Sequence, residues 1–240
     1  MESRKLNDFK IEPLTTVKKS KRQVELDVLP DPKNDRPFLL LISARIASGK
    51  SVLLSNLLKK KELYYRYFDK IYMCTSNVAE GKIHDDAYTG IKFKDKRLYD
   101  DFNEEIWNNI LEDIKSDDDF KKNSYLLICD DLGPNFERIK SNLLKGFLKH
   151  RHYRLSIILV SQAIRLFNPK IRNNASHLIA FYTDNKKERG ALNEITNLDI
   201  STFNEVFEYA TGDPYCFLYI DLLVPKRVKM YKNFNEQILI

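Results

Sequence analysis

Cysteine is scarce in this sequence of 240 residues, which contains only Cys74, Cys129 and Cys216. The number is odd, the three positions are far apart, and two of them lie in apolar runs typical of strands. Such a set predicts reduced, buried thiols rather than a disulfide framework or a metal site. The sequence therefore favours a reducing compartment of the cytosolic type.

Long apolar segments are also missing. No stretch approaches the roughly 20 residues that a membrane span needs, and the N-terminus is too charged for a signal peptide. Histidine is sparse as well, and His150 and His152 lack the nearby acids or cysteines of a metal site. We therefore expect no membrane span, no secretion signal and no histidine-based metal centre.

The composition that remains is that of a globular α/β protein. Hydrophobic residues make up 43% of the chain, and the net charge of +6 suits a polyanionic partner without requiring one. Residues 1–36 have mixed charge and little periodicity, which predicts a flexible arm, with a DNA-gripping or nuclear-import segment as the alternative. From Arg36 onward strands alternate with helices, so residues 37–240 are predicted to form one domain with a mostly parallel central sheet.

The apolar patterns locate the elements of this domain. Helices are predicted at 101–115, 136–149, 186–195 and 201–210, and strands at 71–75, 215–223 and 228–231 in addition to those discussed below.

A phosphate-binding loop is the most informative feature of the sequence. An apolar run, Leu39–Ile42, is followed by a short loop ending in Gly-Lys-Ser and then by an apolar helical pattern. A buried strand, a loop of inward-facing N–H groups and a helix N-terminus follow each other in this order in phosphate-binding loops. The candidate nucleotide-binding residues are Ala44, Arg45, Ile46, Ala47, Ser48, Gly49, Lys50, Ser51 and Val52.

Two residues of this loop have expected roles toward a nucleotide. Lys50 is expected to reach the β- and γ-phosphates, and the Ser51 hydroxyl is expected to bind Mg²⁺. The usual pattern begins with a glycine, for which this chain has Ala44. If that position needed a positive φ, alanine would cost roughly 1–2 kcal/mol; the sequence alone leaves this open.

An acidic strand supplies the second part of a nucleotide site. The apolar run from Tyr125 to Cys129 ends in Asp130 and Asp131. In nucleoside triphosphatases with such a loop, the acid at the end of a neighbouring strand helps to hold Mg²⁺. Asp130 is therefore the expected metal residue, and Asp131 suits the general base that activates the attacking water.

A third strand, Leu155–Val160, ends at Ser161-Gln162. A polar amide at the tip of this strand is well placed to contact the γ-phosphate or the attacking water. Gln162 is therefore predicted to act as a sensor of the bound nucleotide.

Together these segments resemble the genome-packaging ATPases of large DNA viruses and virophages, the poxvirus-type branch of the FtsK–HerA superfamily. The resemblance extends from about Phe38 to the C-terminus and includes the segments 150–154 and 169–174. It implies a three-layer phosphate-loop fold of the RecA-like type, ATP and Mg²⁺ as ligands, and a homo-oligomeric ring. It further implies translocation of double-stranded DNA into a preformed capsid, contact with capsid or portal-vertex proteins, and a location in a viral factory of the host cytoplasm or in the virion.

A ring ATPase of this kind is expected to add an arginine from the neighbouring subunit, because negative charge develops on the phosphoryl group in the transition state. The candidates are Arg151, Arg154 and Arg172. Arg151 and Arg172 are favoured because they lie in the segments shared with the family. The stretch from Lys145 to Arg154 is also basic enough to contact DNA phosphates instead.

Other functions are compatible with parts of the sequence. Asn185-Lys186-Lys187-Glu188 approximates the guanine-recognition signature of regulatory GTPases, but it ends in glutamate. A nucleoside kinase is disfavoured because no arginine-rich lid follows the acidic strand. A DNA translocase or helicase of the same superfamily and a nucleotide-binding structural subunit that has lost hydrolysis through Ala44 are the remaining alternatives.

Overall fold

A ten-stranded sheet forms the centre of the protein in this computed structural model, which describes residues 2–5, 26–32, 36–76, 97–223 and 228–240. The strands are β1 (Glu2–Lys5), β2 (Leu39–Ser43), β3 (Lys70–Thr75), β4 (Leu98–Tyr99), β5 (Tyr125–Asp130), β6 (Leu155–Ser161), β7 (His177–Phe181), β8 (Phe217–Asp221), β9 (Lys229–Lys232) and β10 (Glu236–Leu239). The helices are α1 (Lys50–Lys59), α2 (Glu104–Lys115), α3 (Gly133–Glu137), α4 (Ser141–Phe147), α5 (Pro169–Arg172), α6 (Lys186–Thr196) and α7 (Ile200–Thr211).

The sheet has a parallel part and an antiparallel part. Its strand order is β1-β10-β9-β8-β7-β2-β6-β5-β3-β4. The six strands from β7 to β4 are parallel to one another, whereas β8, β9, β10 and β1 are each antiparallel to their neighbours. Parallel strands require crossover connections, which the helices supply. The prediction of an α/β fold with a mostly parallel sheet is therefore confirmed.

Each face of the sheet is covered by its own apolar layer. Along β2, Leu39 and Leu41 join the cluster beneath helices α2 to α7, whereas Leu40 and Ile42 join the cluster beneath α1. The central parallel strands are buried throughout their lengths, as expected for a sheet covered on both faces.

Helix α1 covers one face together with an aromatic group. Its residues Leu53, Leu54, Leu57 and Leu58 are buried, and the rings of Phe38, Tyr64, Tyr67 and Phe68 contact one another next to it. Val52, in the first turn of the helix, is 40% exposed.

The helix predicted at 136–149 is two helices in the structure. α3 ends at Glu137 and α4 begins at Ser141, because Lys140 has the extended backbone of an N-cap residue (φ −64°, ψ 145°). The apolar side chains Phe136, Leu143, Leu144 and Phe147 still face the core. The break contains no glycine or proline and does not change the spacing of these apolar residues. The sequence pattern therefore cannot reveal it.

The described parts of residues 1–36 belong to the folded domain. Glu2–Lys5 pairs with β10 as an antiparallel strand, and Leu29 is buried among the residues under α1. The hydroxyl of Tyr64 donates a hydrogen bond to the carbonyl of Pro30 (2.8 Å). These segments therefore differ from the flexible arm expected from the sequence; the basic cluster at 18–22 lies outside the described residues.

Among the described residues, no helix has both the length and the apolar character needed to cross a membrane.

A buried histidine makes the stability of this fold sensitive to acid. His150 lies just before β6, and its Nδ1–H donates to the carbonyl of Leu155 (2.6 Å). The pKa of His150 is lowered from 6.5 to about 4, mainly by burial and to a smaller extent by the charge of Arg151, while the bond to Leu155 opposes the change. Between these two pKa values the unfolded chain binds more protons than the folded one, so stability decreases as pH falls through this window.

We predict that the free energy of unfolding falls by roughly 3 kcal/mol between pH 7 and pH 4 on account of His150 alone. His150→Asn, whose side-chain N–H₂ can still donate to Leu155, should remove that part of the pH dependence, as measured by urea unfolding at several pH values. His152→Asn, at an exposed position, is the control. Equal pH dependence in all three proteins would contradict the prediction.

Candidate nucleotide-binding site

The ends of three parallel strands meet at one edge of the sheet. β6 pairs with β2 on one side and with β5 on the other, which brings Ser43, Ser161 and Asp130 to the same edge. The amide of Ala44 donates to the carbonyl of Ser161 (2.9 Å), and the amide of Asp131 donates to that of Val160 (3.3 Å). The three segments that the sequence singles out are therefore brought together.

The loop after β2 has two positions in the left-handed region of the backbone. These are Ala47 (φ 61°) and Gly49 (φ 97°), whereas Ala44 is not among the residues with positive φ. Ala44 is buried, and its amide is bonded to Ser161 as described above. The missing first glycine of the pattern therefore imposes no backbone strain on this chain.

Gly49 begins helix α1 as its N-cap residue. Its carbonyl accepts the amide of Leu53 (2.9 Å), and Lys50 and Ser51 occupy the first turn of the helix. The first amides of a helix have no partner within it and, with the helix dipole, attract anions. The N-terminus of α1 therefore presents these amides at the edge of the sheet where the sequence predicts phosphate binding, and the role of Lys50 and Ser51 toward a nucleotide stays a prediction.

The side chain of Lys50 lies between the two carboxylates at the end of β5. Its Nζ is 3.7 Å from Oδ1 of Asp130 and forms a closer ion pair with Oδ2 of Asp131. The Asp130 residue is only 1% exposed. A buried charge of this kind is tolerated when an opposite charge compensates it, so the lysine of the loop and the acids of β5 form one electrostatic unit.

The two carboxylates reach Lys50 for different reasons. Asp130 follows the alternation of β5, in which Leu126 and Ile128 join the cluster under α1, so its side chain lies on the α1 face of the sheet. Asp131 has a positive φ of 59°, which ends the strand and keeps its carboxylate on the same side as Lys50.

The residues present are suited to Mg²⁺. Ser51 provides a hydroxyl oxygen and Asp130 a carboxylate oxygen, and Mg²⁺ prefers such hard ligands. Among the described residues, no group of three or more His, Cys, Asp or Glu side chains forms a metal cage. Mg²⁺ is usually held by one or two protein ligands together with water and substrate phosphates, which is the donor set that Ser51 and Asp130 offer.

Gln162 follows Ser161 at the tip of β6, and its side chain is exposed at this edge. It therefore shares the edge with the loop and with the two acids. Its sensor role stays a prediction.

The arginines are placed differently. Arg151 lies in a short 3₁₀ helix before β6, and Arg172 ends helix α5 before β7. Both therefore precede the N-terminal ends of parallel strands, at the edge of the sheet opposite the loop. A strand of seven residues such as β6 spans about 23 Å, so neither arginine belongs to the site of its own chain.

The segment that approximates a guanine signature has a structural role. The side-chain oxygen of Asn185 accepts the amides of Lys187 (2.9 Å) and Glu188 (3.4 Å) and thereby caps helix α6. Asn is a preferred N-cap residue because it satisfies these amides. This observation does not favour a GTPase.

Sequence reasoning missed a cleft beside the loop. A cavity of about 550 Å³ is lined by loop residues 45–48, by Phe181 and Tyr182 at the end of β7, and by the turn 211–216. Arg45 also forms an exposed ion pair with Asp184 (2.8 Å). The turn sequence Gly212-Asp213-Pro214 was the available signal, but it indicates only the end of a helix.

A comparison with known protein families shows to which family the chain belongs. The profile of the Poxvirus A32 protein family matches residues 31–200, which include the loop, the acidic strand and the sensor strand. The chain belongs to this family. The resemblance to the poxvirus-type ATPases inferred from the loop and strand motifs is thereby confirmed. No curated protein sequence matches the chain at a significant level.

Solved structures of the B204 proteins of two viruses have the same fold as this A32 family member. The genome packaging NTPase B204 of Sulfolobus turreted icosahedral virus 2, solved with AMPPCP, is 19% identical, with a TM-score of 0.62 over 88% of this chain and 100% of that one. In complex with ATPγS the same protein gives 20% identity and a TM-score of 0.59 over 82% and 98% of the two chains. The DNA-packaging ATPase B204 of Sulfolobus turreted icosahedral virus is 18% identical, with a TM-score of 0.59 over 82% and 98%.

These likenesses establish the fold of the A32 family member. At 20% identity or less they do not transfer individual residue roles, which must be argued from the geometry of this chain.

The backbone of the loop gives opposite predictions for its two alanines. Ala44→Gly should lower the free energy of unfolding by about 0.5–1 kcal/mol, because glycine adds only unfolded-state entropy where φ is negative. Ala47→Gly should raise it by about 1 kcal/mol, because glycine relieves the left-handed strain. Urea unfolding of both variants beside the wild type measures the difference.

The two substitutions are matched controls for each other, since each removes one methyl group from the same loop. Stabilisation by Ala44→Gly and destabilisation by Ala47→Gly would show that the assignment of the strained position is reversed.

Proposed function

We propose that this chain is the ATPase subunit of a viral genome-packaging motor, which hydrolyses ATP with Mg²⁺ and moves double-stranded DNA into a preformed capsid. The main support is the position of Lys50 at the N-terminus of α1, in contact with both acids at the end of β5. Membership of the A32 family and the shared fold of B204, a genome packaging NTPase, support the same function.

The proposed nucleotide site uses the loop from Ala44 to Val52. The amides of the loop and of the first turn of α1 bind the phosphates, and Lys50 neutralises the β- and γ-phosphates. Ser51 and Asp130 would hold Mg²⁺, which supplies positive charge between the phosphate oxygens when it is bound.

Asp131 is the proposed general base. In the described structure its carboxylate is paired with Lys50. The negative charge of Asp131 is therefore compensated by the same ammonium group that a γ-phosphate would attract. When Lys50 moves to the phosphate, Asp131 loses this partner and becomes free to accept a proton from water. Gln162, at the same edge, would contact the γ-phosphate or this water.

Arg151 and Arg172 can act on a nucleotide only from a neighbouring subunit, because they lie at the opposite edge of their own sheet. This position suits a homo-oligomeric ring in which one subunit completes the site of the next. An arginine supplied in this way accelerates phosphoryl transfer by 10³–10⁵-fold in known examples.

The ring would act on double-stranded DNA and contact capsid or portal-vertex proteins, either in a viral factory of the host cytoplasm or in the virion. A DNA translocase or helicase of the same superfamily would use the same chemistry on another substrate.

A structural subunit without hydrolysis is the second candidate of a different kind. Loss of hydrolysis would follow if Ala44, in place of the first glycine of the loop, distorted the backbone there. Because Ala44 does not adopt a positive φ, the geometry gives no reason for lost hydrolysis, and the active ATPase is favoured.

We predict that Lys50→Ala lowers the rate of ATP hydrolysis by at least about 10²-fold, because the phosphates lose their principal cation. Asp131→Asn should lower kcat by about 10²–10⁴-fold, the usual contribution of a general base. The measurement is steady-state phosphate release with Mg²⁺, with and without linear double-stranded DNA.

Two exposed residues provide the controls, since Lys121→Ala and Asp118→Asn make the same chemical changes away from the site. Normal turnover by Asp131→Asn would refute the assignment of the base. ATP binding without turnover in the wild type, with DNA and with capsids present, would favour the structural subunit.

DNA binding should weaken steeply with salt. If the protein neutralises six phosphates, the logarithm of the binding constant falls with that of the salt concentration with a slope of about −5. Fluorescence anisotropy of a labelled duplex between 50 and 200 mM salt measures this slope. A slope near zero would exclude phosphate contacts as the basis of the interaction.

A further inference from the structure

We infer that Tyr215 forms a stacking platform for the base of the bound nucleotide, in the cleft between the loop and the turn 211–216. The inference rests on the proposed function, since it needs a nucleotide on the loop. It concerns the base, for which the loop and the two acidic residues provide no contact.

The order of the strands fixes the direction in which the nucleotide extends. The acids at the end of β5 lie beyond β6 on one side of the loop, and β7 and β8 lie on the other side. The γ-phosphate and the metal belong beside the acids, because Lys50 contacts both of them. The nucleoside must therefore extend the other way, over the loop toward the ends of β7 and β8.

The antiparallel pairing of β8 places Tyr215 there. β7 is parallel to β2, whereas β8 is antiparallel to β7, with Phe217 opposite Phe181. The beginning of β8 therefore lies at the same edge as the loop. Tyr215, two residues earlier, has its Cδ1 3.2 Å from the position that a Cβ on Gly49 would take.

The cleft has the size and lining of a ligand site. Its volume of about 550 Å³ lies within the usual range for small-molecule pockets, which are mainly apolar and aromatic. Tyr215 is 71% exposed and Ile46 is 76% exposed, so both present apolar surface to this opening. A flat π-face that is open to solvent beside a phosphate-binding loop suits a base, since every nucleobase has a π-face.

Tyr215 is also held in place on both sides. Before it, Oδ2 of Asp213 accepts a hydrogen bond from Nζ of Lys232 (2.5 Å), and this bond raises the pKa of Lys232. After it, the amide of Phe217 donates to Oδ1 of Asn233 (3.1 Å). Between these anchors Tyr215 has a φ of 63°, which is strained for a bulky residue. Strain that the surroundings maintain is typical of binding sites.

The test compares two ligands that differ only in the nucleoside. Isothermal titration calorimetry measures the Kd of AMPPCP and of inorganic tripolyphosphate, each with Mg²⁺, for the wild type and for Tyr215→Ala. We expect Tyr215→Ala to weaken AMPPCP by about 5- to 150-fold, the range of base–aromatic stacking, and to leave tripolyphosphate within twofold. Tyr215→Phe keeps the ring and should behave as the wild type does.

Ile200→Ala is the control for the loss of an exposed apolar side chain. Ile200 is 52% exposed at the far end of α7 from the turn, about 16 Å away along the helix, and its substitution should change neither Kd.

Results that contradict the platform differ from those that contradict the proposed function. Unchanged AMPPCP affinity in Tyr215→Ala, or an equal loss for both ligands, would overturn the platform, the latter because Tyr215 would then act only through the loop. Loss of AMPPCP affinity that parallels dissociation of an oligomer in light scattering would assign Tyr215 to a subunit contact instead. If the wild type binds neither ligand, the proposed function itself is refuted. If it binds both but DNA never stimulates turnover, the motor is refuted and the platform remains.

Tyr215→Gly separates binding from folding. Glycine relieves the positive φ, so its thermal midpoint should rise while its affinity for AMPPCP falls. A purely structural tyrosine would give a lower midpoint, and this result would contradict the inference.

Discussion

The ion pairs of Lys50 join the loop after β2 to the acidic end of β5. One ammonium compensates two carboxylates that are largely or partly withdrawn from water, since the exposed fractions of the side chains are 12% for Lys50, 2% for Asp130 and 28% for Asp131. Removing one partner of such a cluster leaves an uncompensated charge, which costs more than the pair contributes. The cluster also carries one negative charge in excess, and a triphosphate adds several more. The proposed Mg²⁺ would offset this charge, and the hard oxygen donors of Ser51 and Asp130 suit such a cation.

The reversal of strand direction at β8 determines how the rest of the nucleotide is surrounded. In the parallel part of the sheet all C-terminal strand ends collect at one edge, which supplies the loop, the acids and Gln162. A further parallel strand beside β7 would bring only its own C-terminal end to this edge. Because β8 is antiparallel, its N-terminal end comes there instead, together with the turn that carries Tyr215. The antiparallel part of the sheet thus provides the aromatic side chain proposed to contact the base, which the phosphate-binding part lacks.

Much of this arrangement could be predicted from the sequence, because it depends on local signals. The loop, the acidic strand and the sensor strand are each an apolar run that ends in polar residues, and parallel strands necessarily bring such ends together. The break between α3 and α4 could not be predicted, since Lys140 bears no helix-breaking side chain. Nor could the role of residues 2–5, whose pairing with β10 joins opposite ends of the chain. Tyr215 was missed because its position depends on the anchors Lys232 and Asn233, which lie 17 and 18 residues away.

Three residues with left-handed backbone lie at this same edge, although Arg66 and Arg154 adopt it elsewhere in the described structure. Ala47, Asp131 and Tyr215 all have φ close to 60°, and Ala47 and Tyr215 belong to residue types for which this region costs more than it does for glycine, asparagine or aspartate. Each such residue costs on the order of 1 kcal/mol or more, and no local interaction of an alanine methyl group offsets it. The loop, the acidic turn and the aromatic turn are therefore held in these conformations by the sheet to which they are joined. The geometry of the site is consequently a property of the whole sheet, and the sequence pattern of the loop alone does not determine it: Ala44, where the pattern has glycine, is unstrained, and Ala47, where the pattern allows any residue, is strained.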